Sequence, residues 1–268
     1  MKYGFIGCGN MGSALAQAVC KSVDSKEVML SNRTMEKAEQ LAEKLNCAYG
    51  TNQQVAENCD FIFLGVKPQM LAELLGELVP TFKEHYAHRP FTLVSMVSGI
   101  SIVQIQKMLG YDYPIIRIMP NTAVAVEEGM IQYCYKNVDK DSLNTWLNAM
   151  NKAGKLDEID ESLIDASSAL SGCGPAWAYQ FIEALADGAV SLGLPRAKAI
   201  EYASQMLVGA GKMVLETKKH PGQLKDEVCS PKGSTIQGVR ILEENGFRGI
   251  VMDAVIAAYE KTKKLGDK

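Results

Sequence analysis

Short apolar runs alternate with amphipathic stretches through the first half of the chain. The runs have the length of buried strands, and the stretches between them carry apolar residues at helical spacing. The predicted strands are Lys2–Ile6, Val28–Ser31, Phe61–Val66, Thr92–Val97 and Ile115–Met119. The predicted helices include Gly12–Lys21, Met35–Leu45 and Gln69–Leu78. This alternation predicts βαβ units and a mostly parallel sheet.

The pattern changes near residue 160. Before it, Met130–Tyr135 and Lys155–Ile159 can add two strands around a helix at Asp141–Lys152. After it, no alternating run appears, and the remainder is typical of long helices. We therefore predict an α/β domain over residues 1–158 and an all-α domain over residues 159–268.

One predicted helix, Ala176–Leu192, is apolar or small on nearly all of its surface. Its polar residues form one narrow stripe: Gln180, Glu183, Asp187 and Ser191. Such a helix must be buried on most of its circumference, which a lone helical domain of this size achieves with difficulty. The pattern predicts an intersubunit core in at least a dimer. The alternative is the central helix of a compact bundle.

Composition and charge narrow the class of protein. The 268 residues are 47% hydrophobic and 22% charged, which is typical of a globular protein. A net charge of −3 argues against a nucleic-acid binder that depends on phosphate neutralisation. No stretch approaches the roughly 20 apolar residues of a membrane span. The first residues, MKYGFIGCGNMG, do not have the pattern of a secretory signal.

The cysteines and histidines favour neither disulfides nor a metal site. Seven cysteines are dispersed without a Cys-x-x-Cys pair, which predicts free thiols in a reducing, cytoplasmic compartment. His85 and His88 have no cysteine nearby, and their charged flanks favour a solvated linker. Zinc needs three or four convergent ligands, so no metal is expected.

A glycine-rich segment lies between the first predicted strand and the first predicted helix. Its residues are Gly7, Cys8, Gly9, Asn10, Met11 and Gly12. In this context Gly7 allows a tight turn, Gly9 lets a pyrophosphate approach the backbone, and Gly12 permits close packing of helix on strand. The helix N-terminus offers N–H donors to the phosphates. The segment predicts a Rossmann-type dinucleotide site; a plain glycine-rich turn is the alternative.

The end of the second strand indicates which dinucleotide binds. An NAD site usually has a carboxylate here to hold the ribose 2′-hydroxyl. This chain has Asn32 and Arg33 instead, and a guanidinium attracts a 2′-phosphate. We predict a preference for NADP(H), with NAD(H) as the second choice; Arg33 as a solvated surface charge is the alternative.

Further turns follow other predicted strands. Lys67-Pro68 follows Phe61–Val66, Ser98 follows Thr92–Val97, and Asn121 follows Ile115–Met119. Ligands of open α/β sheets lie beyond the carboxyl ends of the strands, so these turns are expected to contact the cofactor.

Two segments interrupt the helical half of the chain. Ser171–Pro175 precedes the apolar helix, and Ser230–Thr235 precedes another helix that begins near Thr235. Hydroxyls, glycines and a helix N-terminus together suit a small carboxylate, held by backbone N–H groups and by Ser234 and Thr235. Plain helix capping by Ser and Thr is the alternative.

The order of these motifs resembles the pyrroline-5-carboxylate reductase family over essentially the whole chain. The matching segments are GFIGCGNMG (Gly4–Gly12), GVKPQ (Gly65–Gln69), RIMPNT (Arg117–Thr122), LSGCGPAW (Leu170–Trp177), GLPRAKA (Gly193–Ala199) and HPGQLKDEVCSPKGST (His220–Thr235). The resemblance implies an α/β Rossmann-type domain followed by an all-α dimerisation domain, and NADPH-dependent reduction of pyrroline-5-carboxylate to L-proline. It also implies dimers that can build decamers.

The resemblance also assigns residues. It implies cofactor contacts by Gly7–Gly12, Asn32, Arg33, Asn52, Val66, Lys67, Pro68, Met96, Val97 and Ser98. It implies a substrate pocket with Glu161, Ser230, Gly233, Ser234 and Thr235.

The chain departs from the family pattern at a few positions. Lys232 replaces the first glycine of the usual SPGG, which costs roughly 1 kcal/mol if the backbone there is left-handed. Otherwise Lys232 adds a positive charge near an anionic ligand. Cys173 replaces a frequent serine, Ala123 a common proline, and Glu227 a frequent asparagine, which bears on the exact substrate contacts.

Imine reduction suits this set of residues. The imine nitrogen is basic enough for solvent or one weak donor to protonate it, and the C=N carbon of the resulting iminium is electrophilic without a His–Asp pair. Thr235 is the candidate donor to the ring nitrogen, and Lys67 is expected to position the cofactor. A β-hydroxyacid dehydrogenase is the second reading, but its lysine four residues after the glycine turn corresponds to Ala178. A non-catalytic NADP sensor is the third.

Overall fold

The computed structural model describes residues 2–266 and divides the chain into two compact units. The first unit runs through Cys173 and includes the chain from Ala258 onward; the second is Gly174–Ala257. This division by packing falls later than the predicted boundary at residue 158. The reason is that the first helix after the sheet packs on a strand of the first unit.

The first unit is built on one eight-stranded sheet with the order β3-β2-β1-β4-β5-β6-β7-β8. Its strands are β1 Tyr3–Ile6, β2 Val28–Ser31, β3 Ala48–Tyr49, β4 Phe61–Leu64, β5 Thr92–Ser95, β6 Ile115–Met119, β7 Gly129–Lys136 and β8 Gly154–Glu158. Every neighbouring pair is parallel except β6 with β7. The order of β1 to β6 is that of a dinucleotide-binding sheet, and the predicted Rossmann-type fold is confirmed.

Helices cover both faces of the sheet. The helices of the first unit are α1 Asn10–Ser22, α2 Met35–Leu45, α3 Asn52–Asn58, α4 Pro68–His88, α5 Ile102–Leu109, α6 Lys140–Ala149 and α7 Glu161–Ser171. Alternation along β4 shows the two cores: Phe61 and Phe63 join the cluster with α1, α2 and α6, whereas Ile62 and Leu64 join the cluster with α3, α4 and α5. Burial on both faces explains why the central strands β1 and β4 are apolar at nearly every position.

The second unit is entirely helical among the described residues, and α8 packs on α9. Its helices are α8 Gly174–Ser191, α9 Arg196–Thr217, α10 Pro221–Glu227 and α11 Ser234–Glu244, together with the first part of α12 Phe247–Gly266. No described helix is both long and apolar enough to cross a membrane.

One sequence interpretation is wrong. The segment around His85 and His88 is not a linker, because α4 continues through Pro80 to His88. The His85 ring is buried, and its Nδ1 lies 2.6 Å from the carbonyl oxygen of Ala56.

Candidate functional site

The glycine-rich turn between β1 and α1 has the geometry of a phosphate cradle. Gly7 has φ +103°, and a side chain there would meet the carbonyl oxygen of Gly65 at 2.5 Å. A Cβ on Gly12 would collide with the carbonyl oxygen of Gly7, so the helix approaches the turn as closely as a glycine allows. A Cβ on Gly9 would meet no atom within 4 Å, which leaves open space above the backbone.

The N-terminus of α1 is left open to an anion. The cap residue Gly9 has no side chain to accept from the helix N–H groups, and no acidic residue lies in the first turn. The first N–H groups of a helix have no partner inside the helix, and they lie at its positive end. This turn therefore fits the pyrophosphate of a dinucleotide.

Asn32 ties the turn to the end of β2. Its Oδ1 accepts a hydrogen bond from the backbone N–H of Cys8 at 3.1 Å, and its Nδ2 donates to the carbonyl oxygen of Thr34 at 3.0 Å. The Cys8 thiol points inward and donates to the carbonyl oxygen of Ser31 at 3.4 Å. Burial raises the pKa of Cys8 to about 11, so this thiol stays protonated and packs as part of the fold.

A cleft of about 450 Å³ opens beside this turn. Its lining brings together these residues predicted from the sequence: Gly7, Gly9, Asn32, Arg33, Asn52, Val66 and Lys67. Asn52 is fixed because its Oδ1 accepts from the Ser31 hydroxyl at 2.5 Å. Cys8 and Asn10 line a neighbouring cleft instead.

Lys37 lines the cleft near Arg33 and was not predicted from the sequence. It lies four residues after Arg33, in the first turn of α2 after the cap residue Thr34. Neither cation has a side-chain hydrogen bond or ion pair with another described residue. Two unpaired cations at the end of β2 suit a phosphate group. The signal that could have found Lys37 is its position in the first turn of the helix predicted directly after Arg33.

The remaining predicted cofactor residues lie outside the cleft lining. Met11 and Gly12 belong to the first turn of α1, and Pro68 is the first residue of α4. Met96, Val97 and Ser98 follow β5, and Val97 is fully buried.

Asn121, which follows β6, has both ends of its amide occupied. Its Nδ2 donates to the carbonyl oxygen of Ser171 at 3.0 Å, and its Oδ1 accepts from the backbone N–H of Met130 at 3.3 Å. These two hydrogen bonds give Asn121 a structural role, because they join the end of β6 to β7 and to α7.

Glu161 is held in the first unit by a buried arginine. The Arg117 side chain is only 3% exposed, and its Nη1 lies 3.3 Å from Glu161 Oε1. The same carboxylate oxygen accepts from the backbone N–H of Ile102 at 2.7 Å, at the start of α5. Both bonds fix the carboxylate at the first turn of α7.

The segment Ser230–Thr235 forms a tight turn before α11 in the second unit. The N–H of Gly233 donates to the carbonyl oxygen of Ser230 at 3.0 Å, and Lys232 between them has φ +61°. A Cβ on Gly233 would collide with the Ser230 hydroxyl, so only glycine lets that hydroxyl lie against the turn. The helix begins at Ser234, one residue before the predicted position, and no side chain caps it.

The exposed hydroxyls of this turn therefore surround an uncapped helix N-terminus. Such an end binds a carboxylate through backbone N–H groups. Glu227, which replaces a usual asparagine, is paired elsewhere: its Oε1 accepts from Lys219 Nζ at 2.7 Å and from Gln223 Nε2 at 3.3 Å.

The helices of the second unit leave much of their apolar surface open in a single chain. Its buried apolar residues, among those the structure describes, are Ala186, Ala199 and Ala203. Large apolar side chains are exposed along α8, α9, α11 and α12, including Tyr179, Ile200, Tyr202, Met206, Met213, Leu215, Ile241, Ile250, Met252 and Ile256. So many exposed apolar side chains on these helices indicate an interaction face.

Two family models match the chain. Residues 161–265 match the family described as pyrroline-5-carboxylate reductase dimerisation. Residues 2–95 match the family described as NADP oxidoreductase coenzyme F420-dependent.

Curated relatives match along the whole length. A pyrroline-5-carboxylate reductase of Escherichia coli strain K12 is 39% identical and covers 98% of each chain. One from Methanosarcina acetivorans is 39% identical over 100% of this chain and 98% of its own.

Solved structures agree in fold. A pyrroline carboxylate reductase of Plasmodium falciparum with NADP bound is 34% identical, covers 99% of this chain and 98% of its own, and has a TM-score of 0.88. A 1-pyrroline-5-carboxylate reductase of Streptococcus pyogenes is 30% identical with the same TM-score and covers 98% of each chain.

Proposed function

The chain belongs to the pyrroline-5-carboxylate reductase family, and we propose that it reduces (S)-1-pyrroline-5-carboxylate to L-proline with NADPH, the last step of proline biosynthesis. It is an oxidoreductase that acts on a C=N bond, and its cofactor is NADP(H). The observation that carries this function is that one chain has both a phosphate cradle at Gly7–Gly12 and a carboxylate turn at Ser230–Thr235.

The cofactor is held by the first unit. The N–H groups at the start of α1 bind the pyrophosphate, and Arg33 binds the 2′-phosphate of the adenosine ribose. Asn32 and Asn52 fix the walls of the cofactor cleft through their hydrogen bonds to Cys8 and Ser31. Lys67, at the start of α4, contributes a further positive charge to the cleft. When bound, NADPH supplies the hydride for the C=N carbon.

The substrate is recognised by its carboxylate. The N–H groups at the start of α11 and the hydroxyls of Ser230, Ser234 and Thr235 are the donors for that anion. From the family resemblance we also assign Glu161, whose carboxylate is held by Arg117, to substrate binding, with a role in positioning the ring. Fixing the ring is the chief contribution of these residues, because orientation alone removes a large part of a barrier.

Thr235 is the proposed donor to the ring nitrogen, through its hydroxyl. We expect Thr235→Val to lower kcat about 100-fold, the lower end of what a positioned acid contributes. Thr235→Ser keeps a hydroxyl and should retain most of the activity. If Thr235→Val raises KM for pyrroline-5-carboxylate and leaves kcat unchanged, the hydroxyl only binds the carboxylate.

Assembly through the helical unit is part of the proposal. The match to a dimerisation model over residues 161–265 supports a homo-oligomer. The exposed apolar side chains of α8, α9, α11 and α12 are the surface that a second copy would cover, and a decamer of such dimers is the finer proposal. The seven free cysteines favour a cytoplasmic location.

The first test follows the absorbance of reduced nicotinamide in purified protein with racemic pyrroline-5-carboxylate. Rapid oxidation of NADPH with formation of proline is the expected result. Faster oxidation of NADH would leave the reaction in place and contradict the role of Arg33. Binding of NADPH without turnover would instead support an imine of another structure or a sensing role. The β-hydroxyacid dehydrogenase alternative is disfavoured because Ala178 stands where its catalytic lysine is needed.

A further inference from the structure

One wall of the cofactor cleft has no role in the proposed function so far. Helix α4 contributes Met70, Glu73, Leu74 and Glu77 to the cleft lining. Residues three and four apart are neighbours on a helix surface, so these four side chains share one face. Two rows lie side by side on that face: Met70 with Leu74, which are apolar, and Glu73 with Glu77, which carry carboxylates.

The core of the first unit fixes the orientation of this face. Leu71, Leu75 and Leu78 of α4 are at most 2% exposed and pack in the cluster that includes α3 and α5. Leu74 belongs to the same cluster and also lines the cleft, so it lies at the border between the core and the cleft. Rotation of the helix would expose these leucines, and the cleft-facing rows are therefore held in place.

The same cleft carries both signs of charge. Arg33 and Lys37 line it at the end of β2, and Glu73 and Glu77 line it on α4. Among the described residues, neither glutamate forms a side-chain hydrogen bond or an ion pair with these cations or with any other residue. The cleft therefore has separate positive and negative regions. A phosphate is attracted to the first and repelled by the second, so the two regions suit different parts of a ligand.

The chemistry of NADP(H) indicates which part meets the negative region. Its 2′-phosphate and its adenine are attached to the same ribose, so a phosphate bound by Arg33 leaves the adenine within the same cleft. Adenine is a flat ring with an exocyclic amino group that donates hydrogen bonds. Cofactor pockets hold such rings with apolar side chains and a small number of polar groups that fix the orientation. The two rows of α4 supply both kinds of group.

We propose that this face of α4 recognises the adenine base of the cofactor. Met70 and Leu74 contact the ring, and the carboxylates of Glu73 and Glu77 accept hydrogen bonds from the 6-amino group. This assignment rests on the proposed cofactor site and makes α4 the determinant of base specificity. A dinucleotide with hypoxanthine in place of adenine has a carbonyl oxygen at this position, which a carboxylate repels.

The test measures equilibrium binding by calorimetry, with the full-length protein and two ligands. The ligands are NADP⁺ and its deamino analogue, in which hypoxanthine replaces adenine. We expect the parent protein to bind NADP⁺ about tenfold more tightly, the lower end for hydrogen bonds to a charged group, because both glutamates are exposed to water. Glu73→Gln and Glu77→Gln should each lower this ratio, since a glutamine amide can donate to the carbonyl oxygen of the analogue.

Glu84→Gln is the matched control, because Glu84 is an exposed glutamate of α4 that does not line the cleft. This variant should keep the ratio of the parent protein. Arg33→Ala should weaken the binding of both ligands equally, since both carry the 2′-phosphate.

Equal affinity of the parent protein for the two ligands would overturn the proposal. So would an unchanged ratio in both Glu73→Gln and Glu77→Gln. The proposed reductase activity can fail separately: a protein that shows the expected binding ratios but does not turn over pyrroline-5-carboxylate would refute the reaction and still support the role of α4. The binding readout needs no substrate, so the two failures are distinguishable.

Discussion

The guanidinium of Arg117 lies 2.6 Å from the carboxylate of Asp165, measured from Nη2 to Oδ1. Arg117 is on β6, the last strand of the parallel run, and Asp165 is on the helix that leaves the sheet. With the second bond of Arg117 to Glu161, this contact fastens α7 to the first unit. The packing division therefore falls after α7.

Replacing Arg117 should destabilise the first unit. The arginine is buried, and removal of one partner of a buried ion pair costs about 3 kcal/mol or more. Asp165 and Glu161 are about 30% exposed, so their carboxylates regain some hydration once the arginine is removed. We therefore expect Arg117→Met to lower the free energy of unfolding by the low end of this range. Urea denaturation measures the free energy of unfolding. Asp165→Asn keeps an acceptor and should lose less; no loss at all for Asp165→Asn would show that the arginine acts by packing rather than through this ion pair.

The cap of α7 should make stability depend on acid pH. Asp160 accepts from the backbone N–H of Ser162 at 2.8 Å, and hydrogen bonds from Ser162 lower the pKa of Asp160. A carboxyl with a lowered folded-state pKa contributes stability above its unfolded value, near pH 4, and loses it as the pH falls through the folded value.

We therefore expect the parent protein to exceed Asp160→Ala in melting temperature at pH 7, and the difference to shrink below pH 4. A difference that is constant over this range would contradict the role of the ionised carboxylate. Ser25→Ala, which changes a hydroxyl away from α7, is the control and should show no such pH dependence.

The sequence predicted best those elements whose pattern had a single explanation. The bounds of β2, β6 and α2 agree with the prediction to the residue, because β-branched or helical residues end abruptly there at turn residues. Helix α3 was missed because Asn52–Asn58 is mostly polar. Its signal was the capping box of Thr51 with Gln54, which the structure contains.

Helix α4 shows why a local rule can fail. The predicted helix ended at Leu78, two residues before Pro80, and a proline usually interrupts a helix. The helix continues because Thr81, Phe82 and His85 bury their side chains beyond the proline, and this packing outweighs one lost hydrogen bond. Tertiary contacts of this kind cannot be read from a short window of sequence.

The candidate site was predicted by motif and completed by geometry. The glycine turn and Arg33 could be predicted from their spacing in the sequence. Lys37 could not, because its place in the cleft lining depends on how the first turn of α2 lies beside the cleft. The consequence of Lys232 likewise depended on one backbone angle that the sequence does not reveal.

Both cations at the end of β2 should determine cofactor preference. A charge-assisted hydrogen bond contributes about 1.5 kcal/mol or more, so Arg33→Ala and Lys37→Ala should each raise KM for NADPH about tenfold. NADH lacks the 2′-phosphate, so its KM should change little. Lys26→Ala, which removes an exposed charge that does not line the cleft, is the control. A parallel loss with NADH would place the two side chains on another part of the cofactor.

Two variants of Lys232 separate the effect of its backbone strain on stability from the effect of its charge on substrate binding. A lysine at φ +61° costs roughly 1 kcal/mol relative to glycine, so Lys232→Gly should raise the free energy of unfolding by about that amount. If the ammonium also attracts the substrate carboxylate, KM for pyrroline-5-carboxylate should rise a few-fold. Lys232→Asn tolerates the same backbone and removes the charge. An unchanged KM in both variants would show that the lysine has no part in binding.

The apolar face of the second unit should decide the oligomeric state. Met252 on α12 is 64% exposed in the single chain, and Val103 on α5 of the first unit is 59% exposed. If α12 lies in an interface between copies, Met252→Asp buries an unpaired charge there, which is costly, whereas Val103→Asp stays in water. Sedimentation equilibrium at micromolar concentration should therefore give a lower mass for Met252→Asp alone. Equal masses for the two variants and the parent would exclude Met252 from the interface, because an aspartate buried between two copies would weaken their association.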